Sequence, residues 1–174
     1  MTEQTRFDRQ MPSSKRLDLL PVWVRERVKG LYSVNEWERS DSLHEFSERD
    51  NFHYAVLPHI VKRLKDSSPH VRVVAAMTLE KILSKGKVME SQLKGLIKPL
   101  VASTRDEHIT VKPFALSALT QITHPSALSV FDKLLQDRST EHHYRRGIYN
   151  SMEEISVLEC IPIILKSRQY TRGW

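Results

Sequence analysis

The sequence predicts an all-α protein, an α-α superhelix of about three and a half two-helix repeats behind an N-terminal helical cap. Two observations lead there: apolar positions recur at spacings of three and four, and whole blocks of them recur after roughly forty residues. A third is negative. Five Gly among 174 residues leave little material for the tight turns of an all-β fold or for phosphate-cradling loops. With 40% hydrophobic and 28% charged residues, the chain has the balance of a folded domain and not of a disordered one.

Residues 1–20 are expected to form a flexible segment. Arg6, Arg9, Lys15 and Arg16 are interrupted there by Glu3, Asp8 and Asp18, whereas organelle transit peptides are poor in acids. Residues 21–50 follow as a helical cap or degenerate repeat. Its first helix runs from Val22 and ends near Gly30, and Trp37, Leu43 and Phe46 mark a second. Such a cap closes the open end of a repeat array. The aromatic cluster Trp23, Tyr32, Trp37, Phe46, Phe52 and Tyr54 reads as its core.

Repeats occupy residues 51–166. Shifting residues 57–82 by forty brings Leu57 onto Ile97, Ile60 onto Leu100, Asp66 onto Asp106, Val71 onto Val111, Arg72 onto Lys112, Ala75 onto Ala115, Leu79 onto Leu119 and Ile82 onto Ile122. A third copy places Arg145, Ile148, Met152 and Ile155 on the second helix, with Leu128, Phe131, Leu135 and Asp137 before it. The turn after Asp137 is longer than the others. A fourth copy begins at Ile161-Pro162-Ile163-Ile164-Leu165-Lys166, and residues 167–174 form a tail. Within a unit, Asp66-Ser67-Ser68-Pro69 breaks the helix. Pro69 suits the first turn of the next helix, and Ser67 or Ser68 can serve as its N-cap.

An apolar first helix ending in Asp, then a short turn and Val-Arg followed by Ala, Ala and Leu, resembles the HEAT repeat. Asp66 with Val71-Arg72-Val73-Val74-Ala75-Ala76 carries the likeness best, and Asp106 with Val111-Lys112 and Ala115 next. The resemblance covers residues 53–166 and implies that Asp66, Arg72, Asp106 and Lys112 are structural. It implies a fold and leaves the activity open.

No catalytic constellation is legible. The sequence has no nucleophile elbow, Walker loop or paired metalloprotease histidines, and its single Cys160 reads as a small core residue. Neither a cofactor nor a metal site is expected. His44-Glu45 is one His-Glu pair where the HEAT-type di-iron hydroxylase has four, and nothing marks the bilin pocket of the HEAT-like lyases or the groove of HEAT-type DNA glycosylases. No apolar run approaches the roughly 20 residues of a membrane span, so no membrane insertion is expected. The expected role is therefore a non-catalytic scaffold, adaptor or complex subunit in the cytoplasm, with an organelle matrix as the alternative compartment and a HEAT-type enzyme, a bilin lyase, DNA glycosylase or hydroxylase, as the last-ranked alternative role. Another protein is its expected partner, contacted through Ile161, Ile164, Leu165, Tyr170, Arg172 and Trp174.

Nucleic acid is the alternative partner. The chain is +6, and residues 51–100 hold nine basic against three acidic residues. Lys62, Arg63, Lys65, Lys85, Lys87, Lys94 and Lys98 form the expected patch for a polyanion, since electrostatic attraction needs only a field.

Overall fold

A computed structural model describes residues 17–49, 52–86, 88–155 and 160–165, and all regular structure among them is helical. The named helices are α1 (Val22–Gly30), α2 (Glu36–Glu48), α3 (Leu57–Arg63), α4 (Pro69–Ser84), α5 (Glu90–Ser103), α6 (Val111–Leu119), α7 (Leu128–Gln136) and α8 (His142–Ile155). Single 3-10 turns at Tyr54–Val56 and Pro125–Ala127 lead into α3 and α7, and residues 160–165 are helical again. The fold class is all-α, of the helical-repeat type.

The chain divides into two compact units, Met1–Ile82 and Leu83–Trp174. In the first, Val24 and Val28 of α1, Leu43 and Phe46 of α2, Ile60 of α3 and Val71, Ala75 and Leu79 of α4 are buried. In the second, Leu96 and Leu100 of α5, Val111, Ala115 and Leu119 of α6, Phe131 and Leu135 of α7 and Ile148 and Met152 of α8 do the same. The predicted positions Ile60, Val71, Ala75, Leu79, Leu100, Val111, Ala115, Leu119, Phe131, Leu135, Ile148 and Met152 all fall in these buried stripes. Each large side chain buried in them contributes about 1.5–3 kcal/mol, which makes the stripe the dominant stabilising term of a helix pair.

The repeat is visible in the turns atom by atom. Asp66 Oδ1 accepts the N–H of Ser68 at 3.0 Å, Asp106 Oδ1 that of His108 at 2.8 Å, and Asp137 Oδ1 that of Ser139 at 2.9 Å. Each is an Asx turn, a side chain standing in for the backbone acceptor two residues on. The residue at the matching place in the α1–α2 turn is Ser33, whose Oγ accepts the N–H of Asn35 at 3.1 Å.

A second bond set recurs beside it. Arg72 Nη1 donates to the carbonyls of Asp66 and Ser67, six and five residues back. Arg39 Nη1 donates to those of Ser33 and Val34, again six and five back, at 2.8 and 2.9 Å. Arg145, behind the longer third turn, reaches the carbonyls of Thr140, Asp137 and Leu135. The α1–α2 pair thus carries the turn chemistry of the later repeats at an offset of 33 residues.

Two expectations need correction. Ser68 sits at the N-cap position of α4, its carbonyl accepting from Arg72 N, yet its hydroxyl is buried without a partner. Asp66 Oδ1 takes the N–H of Ser68 itself, so the carboxylate orders the turn ahead of α4. Trp37 does not join the aromatic core: it is 61% exposed on the first turn of α2, while Phe46 is fully buried and Tyr32 nearly so.

Candidate functional site

The buried charge of the first unit lies beneath its surface features. Arg39 of α2 grips the Asp66 carboxylate from two directions, Nε to Oδ2 at 3.0 Å and Nη2 to Oδ1 at 2.8 Å, and Arg63 Nη1 adds a bond of 3.0 Å to Oδ2. Arg39 and Arg63 are each 3% exposed and the carboxylate side chain is fully buried. This places Arg63 out of reach of a polyanion. As a member of the basic patch it is a misreading: three positions before Asp66 at the end of α3, it turns inward to neutralise a carboxylate that solvent cannot.

Between α2 and α4 lies a groove. A cavity of roughly 200 Å³ is lined by Ser40, Asp41, His44 and Ser47 from α2 and by His70, Val74, Met77, Thr78 and Lys81 from α4. Its floor is closed by Thr78, whose Oγ1 donates to the carbonyl of Leu43 at 3.1 Å. At one end Ser40 Oγ donates to the carbonyl of Trp37 and is left to accept from His70 Nε2 at 3.3 Å. The Trp37 ring lies over His70 with centroids 5.0 Å apart. At the other end Lys81 Nζ binds Glu48 Oε1 at 2.5 Å, and that bond holds the Glu48 carboxyl below the usual carboxylate range. No ion pair to Glu36, Glu38 or Asp41 occurs among the described residues.

A polar pair lies elsewhere in the same unit. Tyr32 Oη and His59 Nδ1 share a 2.8 Å hydrogen bond. Burial pushes the phenol above its ordinary value and, with Lys62 and Arg63 adding repulsion, pulls the imidazole below its own. Both shifts favour the neutral forms.

The predicted contact residues are divided by the fold. Lys62 and Lys65 are exposed in the first unit, and Lys94 and Lys98 are exposed on α5 in the second, where Lys85 is half-buried. Lys87 lies outside the described residues. In the helix 160–165, Ile161 is 42% and Leu165 58% exposed, and Ile164 is half-buried. Cys160 is buried and donates its Sγ–H to the carbonyl of Met152, as a core residue would. Tyr170, Arg172 and Trp174 lie outside the described residues.

No group of three or more His, Cys, Asp or Glu among the described residues is arranged to hold a metal ion. No helix among them is long and apolar enough to cross a membrane.

Residues 46–165, more than two thirds of the chain, match the family described as Cnd1, non-SMC mitotic condensation complex subunit 1. The chain belongs to this family. The Cnd1 match opens at the end of α2 and runs through α8 to the last residue of helix 160–165, so it takes in the repeats found by self-comparison. No curated protein matches the chain. The groove draws on Asp41 and His44, just before the Cnd1 match, as well as on α4 within it. Arg39, Trp37 and the α2 face of this groove were missed by sequence reasoning. Aligning the chain at an offset of 33, which sets Ser33 on Asp66 and Arg39 on Arg72, is the signal that would have found Arg39.

Proposed function

We propose that the chain is a non-catalytic HEAT-type subunit of a larger protein complex, of the kind the Cnd1 description names. The observation that carries this reading is the Cnd1 match across residues 46–165. Two features of the helices support it. The apolar side chains Ile161 and Leu165, four positions apart and therefore on one face of their helix, stand in water. The repeat turns are spent on structural bonds, which leaves the helix faces for contact. Interface energy concentrates in a few apolar, aromatic and Arg anchors, and Ile161, Ile164, Leu165 with the tail residues Tyr170, Arg172 and Trp174 are the proposed set.

In this reading residues 1–20 precede the repeats, 21–50 serve as a helical cap or degenerate repeat, 51–166 as the HEAT-like array and 167–174 as a partner-binding tail. The protein works in the cytoplasm or on the chromosomes its family name evokes, with an organelle matrix as the alternative. The test is tagged purification from native cells. The expected result is one stoichiometric complex containing the SMC chains from which the family description sets this subunit apart, dispersed by I161D/L165D. Recovery of the wild-type chain alone would overturn the reading.

Contact with a polyanion is the second reading, supported by the exposure of Lys62, Lys65, Lys94 and Lys98. Of the seven cations the sequence suggested, the buried Arg63 is set aside.

A further inference from the structure

We infer that the groove between α2 and α4 takes an extended, Lys- or Arg-bearing segment of another protein chain, with Trp37 as the platform for one of its cations. This deepens the subunit reading and rests on it, since it gives the chemistry of one partner segment.

The dimensions fit a strand of peptide. From Trp37 to Glu48 α2 rises about 16 Å, the reach of about five extended residues. The apolar part of the lining, Val74 and Met77, gives such a segment something to bury, and Met adapts its shape to what it meets. The polar part selects for charge. The one lysine of the lining, Lys81, is held by Glu48, so it does not confront an incoming cation as a bare charge. Asp41 stands in the lining itself, one helical turn beyond Trp37 on the same face. Glu36 and Glu38 flank Trp37 along the chain, and none of these three carboxylates has an ion pair among the described residues. An exposed indole is an unusual thing to leave in water, and its ring packs against that of His70 at a tilt of 50°. A guanidinium or ammonium laid on such a ring gains cation–π attraction, and the adjacent carboxylates complement it electrostatically. An acidic segment would meet the like charge of Asp41 in the lining. The acidic surface of α2 also contrasts with the rest of a +6 chain, which marks the groove out for basic segments specifically.

The test uses the full chain and fluorescein-labelled peptides of about eight residues: one alternating arginine with alanine, its citrulline counterpart of the same shape without charge, and its glutamate counterpart. Anisotropy is expected to show saturable binding of the arginine peptide only, weakened about fivefold or more by W37A, about tenfold by E38Q/D41N together, and unchanged by I161D/L165D. Should W37A disturb folding, E38K reports the same interaction from an exposed position. Citrulline binding as tight as arginine binding, or arginine binding indifferent to W37A and E38K, would overturn the proposal. Absence of peptide binding alongside a complex that I161D/L165D still disperses removes the groove proposal and leaves the subunit reading standing. Arginine binding by a chain that copurifies with nothing does the reverse.

Discussion

Arg39 and Asp66 lie 27 residues apart and meet in a buried two-bond grip, Nη2 to Oδ1 at 2.8 Å and Nε to Oδ2 at 3.0 Å, that ties α2 to the turn before α4. The planar fork of a guanidinium matches a carboxylate, and a lysine at the same place could not make both bonds.

Removing the carboxylate with Asp66→Ala should therefore cost about 3–5 kcal/mol, because Arg39 and Arg63 are left as buried charges without it. Asp106→Asn should cost under about 1 kcal/mol, since an asparagine oxygen can still accept the His108 N–H of that Asx turn. Urea unfolding of the two variants beside the parent measures the contrast, and equal losses would refute it.

Gly147 marks a close crossing in the second unit. A Cβ there would lie 3.0 Å from both Cβ and Cγ2 of Thr120. Alanine is the better helix former by about 1 kcal/mol, yet Gly147→Ala should destabilise by about 1–3 kcal/mol through overpacking. Thr120→Ala in the same chain should recover part of the loss by removing Cγ2. Thermal melts of the single and double variants decide the sign.

Acid should weaken the first unit through His59. Its folded-state pKa is lowered, so between the folded and unfolded values the unfolded chain binds more protons, and stability falls as pH falls through the ordinary imidazole range near 6.5. His59→Gln keeps a polar partner for Tyr32 without titrating. Denaturation midpoints at pH 7.5 and about 5.5 should draw closer together in that variant than in the parent. An unchanged gap would show that other groups carry the pH dependence.

Binding to a polyanion predicts a graded response to charge. Reversing Lys94 and Lys98 to glutamate should release the protein from a heparin or nucleic-acid column at clearly lower salt, because a surface that neutralises fewer phosphates displaces fewer counterions. Replacing the buried Arg63 should instead appear as a stability defect. Elution unchanged by K94E/K98E would set the second reading aside.

Sequence reading recovered the helices and their inward stripes well, since burial of Val71, Ala75 and Leu79 follows directly from 3.6-residue periodicity. It recovered the turns only where Asp marks them. In the first turn a serine does the work of Asp, so Ser33 carries no signature at the level of residue type, and the arginine at position 39 looked like one more charge on an acidic helix. Depth was the other blind spot. Arg63 and Lys62 are alike in a charge count, but one position along the helix turns the first into the core and the second toward water. Trp37 was placed inside by its type, and only the geometry of α2 puts it over His70.

The arginines of the turns hold main-chain carbonyls, a group every residue possesses. Such a clasp is indifferent to which side chains it crosses and tolerant of how many. Arg145 spans a longer excursion than Arg72 with the same guanidinium, by reaching farther back along the chain. A joint of this kind lets the spacer between helices lengthen, shorten and change its letters while the hinge stays shut. The same fold can then drift a long way in sequence, with only an arginine and an Asx-type acceptor left to betray it.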